Sequence, residues 1–126
     1  MQRHHNNEEM YLKRGKFIYI ATTDADHENK KYKIGFTSGP AALRKYSTTF
    51  APGLTAYFIC PGDKSLKTAI LQHPKVLPLR LRNNPTLTGG VGRRSYWIVG
   101  LELKEIGELF SQVLDEKIVI PVYPFA

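Results

Sequence analysis

Two short apolar segments near the start of the chain place the strongest constraint on its fold. The first, Phe17 to Thr22, and the second, Tyr32 to Thr37, are rich in β-branched and aromatic residues, a composition typical of strands. The charged stretch Thr23 to Lys31 separates them and predicts a loop. We therefore expect a hairpin that brings Tyr19 beside Tyr32 and Lys33.

The rest of the chain predicts alternating short strands and helices. Strands are expected over Leu54 to Cys60, around Leu79 to Leu81 and over Ser95 to Val99, and helices over Ala41 to Lys45, Lys64 to His73 and Leu101 to Asp115. Ile118 to Val122 predicts a terminal strand or an extended tail. This order favours an α+β domain with a central antiparallel or mixed sheet of three or more strands, flanked by helices. We assign residues 1–12 to a flexible N-terminal segment and residues 13–126 to one domain.

Charge and composition narrow the class of partner. The net charge of +7 favours polyanions, because cations that neutralise phosphates release counterions. The cations recur beside apolar segments instead of gathering in one tail, which favours a folded basic face. No apolar run approaches the roughly 20 residues that span a bilayer, so we expect no membrane partner. The single cysteine, Cys60, cannot form an internal disulfide; we expect a buried thiol and an intracellular location, in the cytoplasm or nucleus.

A set of short motifs follows along the chain in a consistent order. Phe17-Ile18-Tyr19 and Lys33-Ile34-Gly35 stand on the two predicted strands, and Arg44 follows on the first predicted helix. Thr48-Thr49-Phe50 leads to the next strand, and Arg94-Ser95-Tyr96-Trp97 precedes the last helix. The set resembles the GIY-YIG nucleases, and in particular their Lys-Ile-Gly subgroup from phages and large DNA viruses. The resemblance covers roughly residues 15 to 115 and implies a GIY-YIG-like fold and a virion or virus-infected cell as the setting.

The resemblance implies a site for phosphodiester chemistry. In that family the first-strand tyrosine helps to activate water and the helix arginine stabilises charge on the phosphate; Tyr19 and Arg44 hold these catalytic positions here. Lys33 would add a cation beside the phosphate, and Gly35 would permit close packing of a helix on the strand. The expected nucleic-acid-binding residues are Lys33, Arg44, Lys45, Arg93 and Arg94.

The chain departs from the family where the metal should bind. Phe17 replaces the glycine of the first triplet, a change that is tolerable if its side chain points into the core. The family holds a divalent cation with a glutamate on a later helix; Lys67 to Ala69 stands there instead, and Ser95 replaces a second acid. Asp63 is the only nearby carboxylate and fits an N-cap better. Without a carboxylate, Mg²⁺ has little reason to bind, because neutral hydroxyls do not offset its dehydration.

Three functions follow from these observations. The first is a nucleic-acid-binding protein on a degenerate nuclease-like scaffold, without cleavage or cofactor; DNA is the expected partner, with RNA left open. The second is an active endonuclease whose Mg²⁺ or Mn²⁺ is held by Asp63 or by a main-chain site. The third is a structural or protein-interaction module, in which the apolar tail Ile118 to Phe125 contacts a partner or a second copy.

Overall fold

Six strands and three helices make up the described part of the chain. The computed structural model describes residues 4–5, 15–38, 53–82 and 94–125, with the backbone alone for His4, His5, Arg82 and Arg94. The strands are β1 (His4–His5), β2 (Phe17–Thr22), β3 (Lys31–Thr37), β4 (Thr55–Pro61), β5 (Arg80–Arg82) and β6 (Arg94–Val99). The helices are α1 (Asp24–Glu28), α2 (Lys64–Leu71) and α3 (Leu103–Leu114), and a 3₁₀ turn, Leu77–Leu79, precedes β5.

The strands form one sheet in the order β1-β4-β2-β3-β6-β5. All neighbouring pairs are antiparallel except β1 with β4. The predicted hairpin of β2 and β3 lies at the centre, and its register pairs Tyr19 with Gly35. This sheet with its helices confirms the predicted α+β class.

The two faces of the sheet carry two separate apolar clusters. On one face, Ile18, Ile20 and Ile34 pack with residues of α2 and α3, among them Ile70 and Phe110. We call this the helix face. The opposite face, the Tyr19 face, carries a cluster of Phe17, Tyr19, Ala21, Leu54, Ala56 and Phe58, against which Trp97 packs. Successive side chains of a strand point to opposite faces, so β2 supplies both clusters.

Phe17 lies in the core, which is the condition under which it can replace the glycine of the first triplet. Its side chain is fully buried and meets the ring of Phe58 edge-on, with ring centroids 6.2 Å apart. Cys60 is also buried, as expected, and burial is the main cause that raises the pKa of its thiol to about 11. Both residues therefore serve packing.

The charged segment predicted as a loop contains the short helix α1. Thr23 caps it, because the Thr23 hydroxyl accepts a hydrogen bond from the Asp26 amide at 3.2 Å. The Tyr123 hydroxyl donates to the Asp24 carboxylate at 2.6 Å and ties α1 to the end of the chain. A helix this short has no apolar periodicity, and tertiary contacts stabilise it instead.

The N-terminal segment contributes a two-residue strand within the range that the sequence predicts to be flexible. His4 pairs with Ala56 and His5 with Tyr57, both on β4. This pairing satisfies backbone groups along the outer edge of β4, which a sheet edge otherwise presents to solvent.

The C-terminal tail packs on the domain without forming a strand. Ile120 and Phe125 are buried in the core of the helix face. The Ser111 hydroxyl accepts a hydrogen bond from the amide of Ile118 at 2.7 Å, which fixes the tail against α3. Val119 and Val122 remain 67% and 81% exposed. The predicted contact of the tail with a partner or a second copy stays a prediction.

None of the described helices is long and apolar enough to cross a membrane. The predicted helix Ala41 to Lys45 and the string Thr48-Thr49-Phe50 lie outside the described residues.

Candidate functional site

The ring of Tyr19 lies directly over Gly35, its partner across the hairpin. A Cβ atom added at Gly35 would stand 2.7 Å from Cε2 of Tyr19 and closer still to Cζ and the hydroxyl oxygen. Side chains do not approach that closely, so only glycine fits beneath this phenol. Among the described residues, the atoms nearest to such a Cβ belong to Tyr19. The helix expected to pack on Gly35 lies outside the described residues, so that packing stays a prediction.

Lys33 occupies the same face, two residues before Gly35 on β3. Its ammonium nitrogen lies 5.7 Å from the centroid of the Tyr19 ring, within cation–π range. The residue is only 8% exposed. Burial, with a smaller contribution from the positive charge of Lys67, lowers the pKa of Lys33 from 10.5 to about 8. The hairpin therefore holds a cation where its charged form is disfavoured.

Two further lysines are paired with aromatic rings near this position. The ammonium of Lys31 lies 5.2 Å from the Trp97 ring centroid, and that of Lys67 lies 3.7 Å from the Tyr96 ring centroid. Trp97 lies on the Tyr19 face, where its register partner is Lys33. Sequence reasoning did not place Lys31 or Lys67 in the site. The alternation of Lys31 and Lys33 with apolar residues could have placed Lys31 on the same face as Lys33. Lys67 comes near Lys33 only through tertiary packing.

Tyr32 does not join Tyr19, which corrects the sequence expectation. Tyr32 is adjacent to Lys33 on β3, so its side chain points to the helix face. Its hydroxyl oxygen lies 2.6 Å from Nδ1 of His27, in hydrogen-bond contact. Burial, followed by the negative charge of Glu102, raises the pKa of Tyr32. This phenol thus belongs to the packing between α1 and β3.

Asp63 caps α2, as predicted. Its Oδ1 accepts hydrogen bonds from the Ser65 amide at 2.9 Å and the Ser65 hydroxyl at 2.5 Å. These bonds, led by the one from the hydroxyl, lower the pKa of Asp63. Across the described residues, no three His, Cys, Asp or Glu side chains are grouped so that they could hold a metal ion. The described residues of the Tyr19 face offer a phenol, lysines and an indole, a donor set that does not fit Mg²⁺ or Mn²⁺.

The capping role predicts how substitutions of Asp63 affect stability. Asp63→Ala should lower the melting temperature, whereas Asp63→Asn should retain most of it, because asparagine also caps helices. Since the folded-state pKa of Asp63 is depressed, the carboxylate's contribution is present above its ordinary pKa of 3.8 and lost as pH falls further. Thermal unfolding followed by circular dichroism measures both effects. Stabilisation by Mg²⁺ in the native protein but not in Asp63→Asn would instead indicate a metal ligand.

The remaining predicted site residues are not described at the level of side chains. Arg44, Lys45 and Arg93 lie outside the described residues. The backbone of Arg94 begins β6 and pairs with Arg82. Of the predicted set, the structure brings together Tyr19 and Lys33; the other four stay predictions.

No protein-family model, curated protein or solved structure matches the chain. The geometry and charge of the Tyr19 face are the features that bear on function.

Proposed function

We propose that this domain binds nucleic acid through the Tyr19 face and does not cleave it. The observation that carries the proposal is the placement of Lys33, a residue 8% exposed whose ammonium lies over the Tyr19 ring. Burying an ammonium is unfavourable for folding, so a lysine with a lowered pKa is more typical of a functional site than of a packing position. A phosphate is the anion that suits a chain with a net charge of +7.

The packing around Lys33 explains how a phosphate would be bound. The Tyr19 ring fixes the lysine from below, and Gly35 leaves room for that ring. A bound phosphate would favour the charged form of Lys33 and raise its pKa again. Lys31, whose ammonium lies over the Trp97 ring, adds positive charge on the same face. Binding and protonation of Lys33 are therefore coupled.

The proposal includes the origin of the site in a GIY-YIG nuclease scaffold of viral type. The antiparallel pairing of the two triplets, with Tyr19 opposite Gly35, supports that relationship. Loss of cleavage is supported by the donor set of the Tyr19 face, which does not suit a catalytic metal. Nicking of supercoiled plasmid with Mg²⁺ or Mn²⁺ that disappears in Tyr19→Phe would establish the endonuclease alternative instead.

Binding should depend on salt and on pH in a way that identifies Lys33. In a gel-shift assay, affinity should fall as salt rises, because phosphate contacts release counterions. At constant salt it should fall roughly tenfold between pH 7 and pH 9, as Lys33 loses its proton. Affinity falls as pH rises because Lys33, with a pKa of about 8 in the free protein, binds phosphate only in its protonated form.

The matched control is Lys104, an exposed lysine on α3. Lys33→Ala should weaken binding and remove the loss of affinity between pH 7 and pH 9. Lys104→Ala changes the net charge equally and should leave both properties as they are. Affinity that stays flat across the salt titration would overturn the proposed function.

A further inference from the structure

Trp97 stands between two lysines on the Tyr19 face. It is the register partner of Lys33 across β3 and β6, and Lys31 places its ammonium over the indole ring at 5.2 Å from the ring centroid. Lys31 and Lys33 alternate along β3 with their side chains on the same face, about 7 Å apart along the strand. The indole is half-buried and packs against the apolar cluster of that face. A rigid aromatic ring is thus flanked by two cations.

We infer that the ligand is single-stranded nucleic acid, with one base stacked on Trp97 and the neighbouring phosphates bound by Lys31 and Lys33. The inference rests on the proposed function and names the substrate class of the same site. Aromatic rings bordered by cations are the usual means by which proteins bind single strands, because every base has a face that stacks.

Duplex nucleic acid cannot form the stacking contact with Trp97 while its bases remain paired. The faces of its bases are covered by their neighbours, so an indole can stack only on a base that has left the helix. Lysines alone would serve a duplex backbone as well as a single strand. The pairing of the lysines with Trp97 is therefore the feature that favours the unpaired strand.

Lys31 is able to exchange its present contacts for a phosphate. Its ammonium also forms a salt bridge with Asp26 at 3.8 Å, and the side chains of both residues are partly exposed. Such exposed ion pairs contribute little to stability, so breaking this one costs little free energy. When a base covers the Trp97 ring, the ammonium moves from the ring and from Asp26 to the adjacent phosphate.

The chain contains its own control in Tyr96. Ile98 lies in the core of the helix face, so Tyr96, two residues before it on β6, points to that same face. It is 45% exposed and has the Lys67 ammonium over its ring. The Lys67–Tyr96 pair thus repeats the chemistry of the Lys31–Trp97 pair on the other side of the sheet.

Fluorescence tests the inference directly, because Trp97 is the single tryptophan of the chain. The full-length protein is titrated at low salt with short oligothymidylate, with short oligouridylate and with a mixed-sequence DNA duplex of equal length. We expect strong quenching by the single strands and about tenfold tighter binding of at least one of them than of the duplex. A preference for the DNA or the RNA strand identifies the source, and either supports the inference.

Two variants and a control variant separate stacking from charge. With labelled oligothymidylate and anisotropy as the readout, Trp97→Leu should weaken binding roughly tenfold and leave duplex binding unchanged. Tyr96→Leu should leave both unchanged. Lys31→Met keeps the indole. It should weaken single-strand binding, whereas quenching of Trp97 fluorescence should persist at saturation. This variant provides a second test if Trp97→Leu fails to fold.

The outcomes distinguish the inference from the proposed function. Equal affinity for duplex and single strand without quenching overturns the inference and leaves nucleic-acid binding intact. Quenching that is unchanged in Lys31→Met, at unchanged affinity, also counts against the inference. A protein that binds none of the three probes at low salt overturns the proposed function together with the inference.

Discussion

Replacing Lys33 with methionine should make the protein more stable while weakening its binding to nucleic acid. The pKa of Lys33 falls from 10.5 in the ordinary state to about 8 in the folded protein, so the unfolded chain holds the proton more tightly. At neutral pH the folded state therefore carries a charged group at a cost of about 3 kcal/mol. Methionine has a similar length and no charge, and we expect it to recover about 1–3 kcal/mol of unfolding free energy.

Urea unfolding at neutral and alkaline pH measures the change in unfolding free energy caused by Lys33→Met and the direction in which it changes with pH. Because the folded-state pKa is depressed, the stability that Lys33 contributes rises with pH between about 8 and 10.5. The native protein should therefore approach the stability of Lys33→Met above that window. Lys104→Met, on the exposed side of α3, should follow the native protein throughout. A Lys33→Met variant that is less stable at pH 7 would contradict the argument.

Adding a single methyl group at Gly35 should destabilise the protein by about 3 kcal/mol. The new Cβ would overlap the Tyr19 ring, which is 3% exposed and has little room to move. Either the ring leaves its place beneath Lys33 or β2 and β3 separate locally. Both changes disturb the site, so we also expect a loss of nucleic-acid binding. Denaturant unfolding of Gly35→Ala gives the magnitude.

A double-mutant cycle identifies the cause of that penalty. In a Tyr19→Ala background the added methyl meets no ring, so Gly35→Ala should cost less than about 1 kcal/mol. The control is Gly107→Ala in α3, where the nearest atom to a new Cβ would be 3.4 Å away and alanine favours the helix. An equal penalty for Gly35→Ala in both backgrounds would show that Tyr19 is not the obstacle.

Elements with a strong local signal could be predicted from the sequence. The apolar, β-branched segments form β2 and β3 within one residue of the expected bounds, and Asp63 caps α2 as predicted. The exact register was not predicted: the sequence led us to expect Tyr19 beside Tyr32 and Lys33, whereas Tyr19 pairs with Gly35.

Features that depend on distant contacts could not be predicted. The helix α1 is too short to show a period, and its ties to Thr23 and Tyr123 become visible only in the folded chain. The burial of Lys33, its lowered pKa and the nearness of Lys67 arise from packing between elements far apart in sequence. The position of Tyr32, in contrast, could have been predicted. Adjacent side chains of a strand point to opposite faces, so Tyr32 and Lys33 cannot share the Tyr19 face.

The reactivity of the buried Cys60 reports how often β4 separates transiently from its neighbouring strands. A thiol with a pKa of about 11 holds almost no thiolate at neutral pH, and the thiolate is the form that reacts with alkylating reagents. Alkylation of Cys60 must therefore await the transient separation of β4 from its neighbours, so its rate follows that opening. Variants at Lys33 and Gly35 can thus be ranked by labelling kinetics in native buffer, independently of tryptophan fluorescence.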